Sequence, residues 1–259
     1  MFSIICPTYN SEKFIKNTID SIIDQRFSKY EIIFSDDGSS DNTINILNNY
    51  SKIFRNKNIN CIILQNDHYG PGHARNRALE KANFDWISFI DSDDLWTHDK
   101  LQKVNDFILS NKSFNCILHR QFYKSNSGKL KNHDFDKYFK PNLPVHNQIF
   151  KTNFLAMSAV TIKKQLIANA GYFNESYQNA QDFDLWLRIG DNFKIYILKE
   201  YLGTNIARTG NITSRNHFKR IFNIIKIIKY NKEKVPLSLF CYRIIRVILT
   251  FEWFKFLTR

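Results

Sequence analysis

Three carboxylates stand within four residues in "FIDSDDLW": Asp91, Asp93 and Asp94, directly behind the apolar run "WISFI". In an extended segment the side chains at i and i+2 point to one side, so Asp91 and Asp93 can face one ligand. Adjacent carboxylates repel unless a cation or hydrogen-bond donors stand between them, and hard divalent ions such as Mg²⁺ and Mn²⁺ prefer oxygen ligands. Asp93 is the expected principal metal ligand. The alternative use of such a cluster is a solvated acidic turn at a helix N-terminus, and capping the next helix is the role expected of Asp94.

Other groups could do complementary chemistry. In "DDGSSD", Asp36 and Asp37 can accept hydrogen bonds from a base N–H or from ribose hydroxyls, and Gly38 permits a tight turn. An ordinary capped strand-to-helix turn is the alternative. "GPGHARN" offers close backbone approach at a helix start that favours an anion, with Arg75 near a phosphate or in a salt bridge. It lacks the third glycine of a dinucleotide fingerprint and follows the third strand, so an NAD site is not expected. In "QDFDLWLR", Asp182 lies where the helix dipole favours an anion and could serve as a general base or merely as an N-cap. Phe183, Trp186 and Leu187 on the same helix read as core. No HxxxH pair is present, and for the lone His73 and His146 the alternatives are lining the cleft or, as is commoner for lone histidines, a structural role.

The elements that must hold these groups alternate. Apolar β-type runs "FSIICP", "YEIIFSDD", "NCIILQN" and "DWISFI" are separated by helical periodicity over 12–25, 41–54 (with Asp41 as a candidate N-cap) and 74–82. Such β-α-β alternation implies parallel strands. Ligands of open α/β sheets bind beyond the strands' carboxyl ends, and here each strand ends in a polar motif: "PTYN", "SDDGSSD", "QNDHYG", "DSDD". Past residue 96 the expectation is a helix over 98–110, a strand over 114–123, a polar loop "KSNSGKLKNHD", a strand passing into a helix over 159–170, a turn at "GYFNES" and a helix at "QDFDLWLRIG".

At 259 residues, 43% hydrophobic, the chain can bury a substantial core. Four scattered cysteines without a CxxC pair point to a reducing compartment. The N-terminus has neither a basic n-region nor a long apolar run, so the first strand is expected to begin in the cytosol. From His217 onward ten Lys or Arg face two Glu, a net +8 of the chain's +13. In "FKRIFNIIKIIKY" the apolar residues form a helical face with Lys219, Lys226 and Lys229 off it, suited to an anionic membrane surface or to packing on the protein's own body. Arg243 and Arg246 interrupt the last apolar run, which argues against a transmembrane span. A nucleic-acid-binding module would account for the basicity, but acidic strand ends would repel a phosphate backbone, so no nucleic acid partner is expected.

In this order over residues 3 to 190, "CPTYN", "SDDGSSDNT", "GPGHARN", "DSDD", "GYFNE" and "QDFDLWLR" resemble the family 2 glycosyltransferases of GT-A fold. The resemblance implies a Rossmann-like α/β fold with a mainly parallel sheet flanked by helices and a C-terminal basic helical extension. It implies a nucleotide-sugar-binding half over 1–95, an acceptor-binding half of the same domain over 96–215, and basic amphipathic helices over 216–259. Pro7, Thr8, Tyr9, Asp36, Asp37, Arg75, Asp91 and Ser92 are then expected at the nucleotide sugar, Asp91 and Asp93 at Mn²⁺ or Mg²⁺, and Asp182 as the catalytic base. The implied reaction is metal-dependent, inverting transfer of one sugar from a UDP-sugar or similar donor to a saccharide hydroxyl, often lipid-linked. Its setting is bacterial lipopolysaccharide, O-antigen or capsule assembly, in the cytoplasm and peripherally on the inner face of the membrane. Gln181 stands where the family often has Glu, and "ARTGNITSR" only partly matches the family's RxHxxN stretch, so no role follows for Arg208 or Asn211. The QxxRW motif of processive synthases is absent. A nucleotidylyltransferase, the nearest rival, would carry a Gly-rich basic loop where "PTYNSEKF" stands.

Overall fold

The computed structural model describes residues 1–208 and 217–257, with side chains over 1–208 and 218–250. Four strands, β1 (Phe2–Thr8), β2 (Tyr30–Asp36), β3 (Asn60–Gln65) and β4 (Trp86–Phe89), are joined through helices α1 (Ile15–Ile23), α2 (Thr43–Asn56) and α3 (Pro71–Lys81). They pair in parallel in the order β3-β2-β1-β4. The central strands are covered on both faces, which is why they read as unbroken apolar runs: Ile4, Ile5, Ile32, Ile33 and Phe34 are all fully buried. Each such side chain contributes about 1.5–3 kcal/mol, so the register that aligns the strand ends is firmly fixed.

Helix α3 begins three residues before the apolar periodicity suggests, because Pro71 fits the first helical turn, where its missing N–H costs nothing. Gly70 precedes it at φ +102°, a conformation that a side chain would strain. Asp41 accepts the Thr43 N–H at the start of α2, close to its expected capping role.

The second half adds β5 (Leu95–Trp96), α4 (Lys100–Ser110), β6 (Cys116–Lys124), β7 (Leu130–His133), α5 (Val145–Lys151), β8 (Val160–Lys163), α6 (Lys164–Asn169), α7 (Gln181–Ile189) and β9 (Ile195–Ile206). One sheet continues through them, β4-β8-β6-β9-β5, with β7 beside β6. Only β6 with β9 is parallel here; β8, β7 and β5 run antiparallel to their neighbours. The parallel character expected of the sheet thus resides mainly in its first four strands. The polar stretch "KSNSGKLKNHD" folds as a hairpin end, Gly128 taking φ +79° at its turn, rather than as a plain loop.

Among the described residues two further helices follow, α8 (His217–Tyr230) and α9 (Leu237–Leu257). Ile227, Ile228, Val235 and Val247 are buried against the body, with Ile221, Ile224 and Ile225 packed around them. Arg246 donates to Thr152 Oγ1 (3.0 Å) and the Arg243 guanidinium lies 5.5 Å from the Phe183 ring centroid. The opposite surface exposes Phe222 and Tyr230 of α8 and Ile245, Ile248 and Leu249 of α9. Among the described residues no helix is long and apolar enough to cross a membrane.

Candidate functional site

The loops after β1, β2 and β4 meet at one edge of the sheet. Thr8 closes β1 by donating to Asp36 Oδ1 (2.8 Å), and Ser39 donates to the same carboxylate through both its N–H and its hydroxyl. Asp36 is 1% exposed with both oxygens engaged inside the fold. In this arrangement it holds the loop after β2 to the end of β1. Asp37 also turns inward: its carboxylate accepts the N–H groups of Tyr69 and Gly70 and lies 3.0 Å from His68 Nδ1. Burial pushes this carboxyl upward, opposed by the Gly70 N–H and by His68.

What this corner presents outward is aromatic. Tyr9 and His68 stack with centroids 4.2 Å apart at 19°, and His68 is largely exposed. His68 was not singled out by sequence; its position in the strand-end motif "QNDHYG" was the available signal. Pro7 is half-buried beneath this loop, whose Asn10 takes φ +46° while its Oδ1 accepts the Ser40 N–H.

The acidic turn sits beside it. Ser92 is buried, its hydroxyl 2.8 Å from that of Ser11 and its carbonyl accepting Thr18 Oγ1. These contacts anchor the turn to α1 and to the residues just before it. Arg75 Nη2 donates to Asp91 Oδ1 (2.7 Å), and its guanidinium lies 5.7 Å from the Phe173 ring centroid. Arg208 Nε donates to Asp93 Oδ2. Burial, then the Asp91 charge, raises the Asp93 carboxyl, with Arg208 opposing.

Asp94 corrects the sequence expectation. It does not cap α4, whose N-cap is Asp99. It is fully buried and accepts Ser158 Oγ (2.5 Å), Asn205 Nδ2 (3.1 Å) and the Ile206 N–H (3.0 Å). Ser158 in turn accepts the Asp91 N–H (3.0 Å), while its carbonyl takes Trp96 Nε1 (2.8 Å). Burial first, then the charges of Asp91 and Asp93, push the Asp94 carboxyl up to about 8. Beneath this turn Lys100 is wholly buried, donating to Ser88 Oγ and Thr161 Oγ1 with its ammonium 3.7 Å from the Trp96 ring centroid.

Asp182 enters from the other half. The segment before α7 docks on α3: Asn76 donates to the Phe173 carbonyl and to Glu175, His73 Nδ1 lies 2.9 Å from Glu175, and Gln178 donates to the Tyr69 carbonyl. Ala180, the residue before the helix, takes a left-handed φ of +58°, an uncommon conformation for a residue with a side chain. Asp182 is partly exposed and accepts Asn153 Nδ2 (2.9 Å), which orients the carboxylate. Asn153, Ser158 and Asn205 were invisible to motif reading. Asn211 lies outside the described residues.

Among the described residues no three His, Cys, Asp or Glu side chains form a metal-ligand set. Mg²⁺-type sites commonly use one or two carboxylates together with substrate phosphates. Asp91 and Asp93 offer oxygen donors of the kind hard divalent cations take, and in this structure each is paired with an arginine.

The family model described as Glycosyl transferase family 2 matches residues 3–222. Over 224 residues the chain is 28% identical to the Escherichia coli UDP-Glc:alpha-D-GlcNAc-diphosphoundecaprenol beta-1,3-glucosyltransferase WfgD, covering 85% of this chain and 82% of that one. It is 39% identical over 109 residues to the putative teichuronic acid biosynthesis glycosyltransferase TuaG of Bacillus subtilis, a match spanning 42% of each chain. The structure superposes on Staphylococcus aureus TarS 1-349 in complex with UDP-GlcNAc at a TM-score of 0.71 and 28% identity, covering 88% of this chain and 66% of that one.

Proposed function

Because this chain belongs to glycosyltransferase family 2 and has the GT-A fold, we propose that it transfers one sugar from a UDP-sugar to a hydroxyl of a saccharide acceptor, with inversion. The observation that carries the reading is the pairing, at one sheet edge, of two carboxylates with two arginines, next to an exposed aromatic stack. A nucleotide offers a ring, a diphosphate and a sugar to match them. Tyr9 and His68 present ring faces for the base. Asp91 and Asp93 would hold Mn²⁺ or Mg²⁺, which when bound supplies positive charge to the leaving diphosphate.

Asp182 acts as the base. It takes the proton of the acceptor hydroxyl as that oxygen forms its bond to the anomeric carbon. The bond from that carbon to the diphosphate oxygen breaks, its electron pair leaves with the nucleotide diphosphate, and the configuration inverts. Asn153 holds Asp182 in position. Arg75, pinned by Asp91 and Phe173, keeps Asp91 oriented.

The acceptor is proposed to be a lipid- or polymer-linked saccharide of a bacterial surface polysaccharide, a reading supported by the names of WfgD and TuaG. The exposed apolar residues of α8 and α9, bordered by lysines, suit peripheral attachment to an anionic membrane at which such an acceptor would be met. The residues over 1–95 would serve the donor and those over 96–215 the acceptor.

Calorimetric titration with UDP-, GDP- and dTDP-sugars in Mn²⁺, repeated with Asp93→Ala, tests the proposal. One donor should bind to the native chain with metal and lose at least about tenfold in affinity in the variant. Equal binding of every donor to both proteins would refute the metal assignment, and no binding of any nucleotide sugar would refute the activity.

A further inference from the structure

Asp93 already has a cation. Arg208 Nε donates to Asp93 Oδ2, and the guanidinium carbon lies 4.8 Å from the centroid of the Phe14 ring. Arg208 follows the end of β9 by two residues, and that end is fastened by the neighbouring carboxylate: Asp94 accepts the Ile206 N–H and Asn205 Nδ2. The acidic turn therefore supplies both the clamp that brings in Arg208 and the carboxylate that receives it. The pair is mostly withdrawn from water, with side-chain exposures of 23% for Arg208 and 14% for Asp93.

The arginine on Asp91 is held differently. Arg75 is only 6% exposed, lies on α3 and also reaches the Pro71 carbonyl. It is a fixed part of the fold. Among the described residues Arg208 meets a ring face and a carboxylate just past the end of a strand, so it can leave Asp93 without opening the core.

We propose that Arg208 is an internal counter-ion that a divalent cation must displace from Asp93, so that metal is held well only together with a nucleotide diphosphate. The inference rests on the glycosyltransferase reading. Two positive groups competing for one partly buried carboxylate repel at short range. A metal ion alone meets that repulsion in full, whereas a metal carrying a diphosphate brings compensating negative charge.

The loss of the free Mn²⁺ electron paramagnetic resonance signal on binding, titrated against the full chain with and without UDP, tests this. Without UDP, Arg208→Gln should bind Mn²⁺ about tenfold more tightly than the native protein, as expected for removing a close positive charge. With UDP present the difference should shrink to within about threefold. Arg208→Lys, which keeps the charge, should retain the weak metal binding of the native chain. If Arg208→Gln binds Mn²⁺ alone no more tightly than the native chain while both bind it with UDP, the counter-ion role is overturned and the glycosyltransferase reading stands. Equal tightening in the Gln and Lys variants would also overturn it, by showing that charge is not the cause. If no protein binds Mn²⁺ under any condition, the metal-dependent reading falls along with it.

Discussion

Replacing Asp94 separates two uses of an acidic turn. Alanine would leave the Ser158 hydroxyl, the Asn205 amide and the Ile206 N–H without their acceptor. A buried polar group deprived of its partner costs about 1–3 kcal/mol. The serine hydroxyl can rotate and half-buried Asn205 can meet water, so the sum is about 3 kcal/mol, dominated by the fixed backbone donor. For a chain of this size that is a fall in Tm of roughly 6–12 °C. Asp94→Asn is the informative contrast. Its carbonyl oxygen keeps the Ile206 and Asn205 bonds and its amide donates to Ser158, as a protonated carboxyl would, so its cost should stay near 1 kcal/mol. The two variants also differ from the native chain in pH dependence. The folded carboxyl is raised to about 8, above its unfolded value of about 3.9. The native state thus binds more protons than the unfolded state between those limits, and stability falls as pH rises from about 4 to 8. Removing the carboxyl should flatten that slope. Thermal melts by circular dichroism in EDTA, across this range, measure both effects. An alanine variant melting within about 2 °C of the native chain, or an asparagine variant as damaged as alanine, would refute the clamp.

Asp182→Asn should lower transfer by about 10²–10⁴-fold with donor affinity unchanged, and Asn153→Ala should lower kcat by a smaller factor; product formation from the identified donor measures both. Lys100→Met should leave stability unchanged or raise it by about 1 kcal/mol or more, because burial depresses the lysine well below its usual range without a carboxylate partner among its described contacts. In the native chain that depressed value makes the unfolded state bind more protons below about pH 10.4, so stability should rise with pH in a window the Met variant lacks. Changing Phe222 and Ile245 to Ser should abolish co-sedimentation with anionic liposomes at low salt while leaving the melting temperature within about 2 °C, since both side chains are exposed. Native protein that fails to sediment would remove the membrane reading.

The first four strands were legible because burial on both faces writes itself as continuous Ile and Phe runs, and their carboxyl ends as polar motifs. The second half was harder to read because its partners are distant in sequence. The two-residue β5 exists only through Gly203 and Thr204, more than 100 positions away, and β7 is a polar strand held by its hairpin rather than by an apolar face. The site divides in the same way. Asp91, Asp93 and Asp182 are proposed from local motifs. Asp36, Asp37, Ser92 and Asp94 were recognisable as special, but whether a polar side chain looks outward or inward depends on which partners the fold delivers to it. For Asp94 those donors come from residues 158, 205 and 206, and no local rule for acidic turns anticipates them.

The direction of β8 has one more result. Its antiparallel run beside β4 puts the start of one strand next to the end of the other, so Ser158, just before β8, arrives at residues just after β4. A parallel strand in that slot would have delivered its leading residues to the opposite rim of the sheet. Strand polarity therefore works here as an address, sending a single hydroxyl to the place where Asp91 and Asp94 both need it.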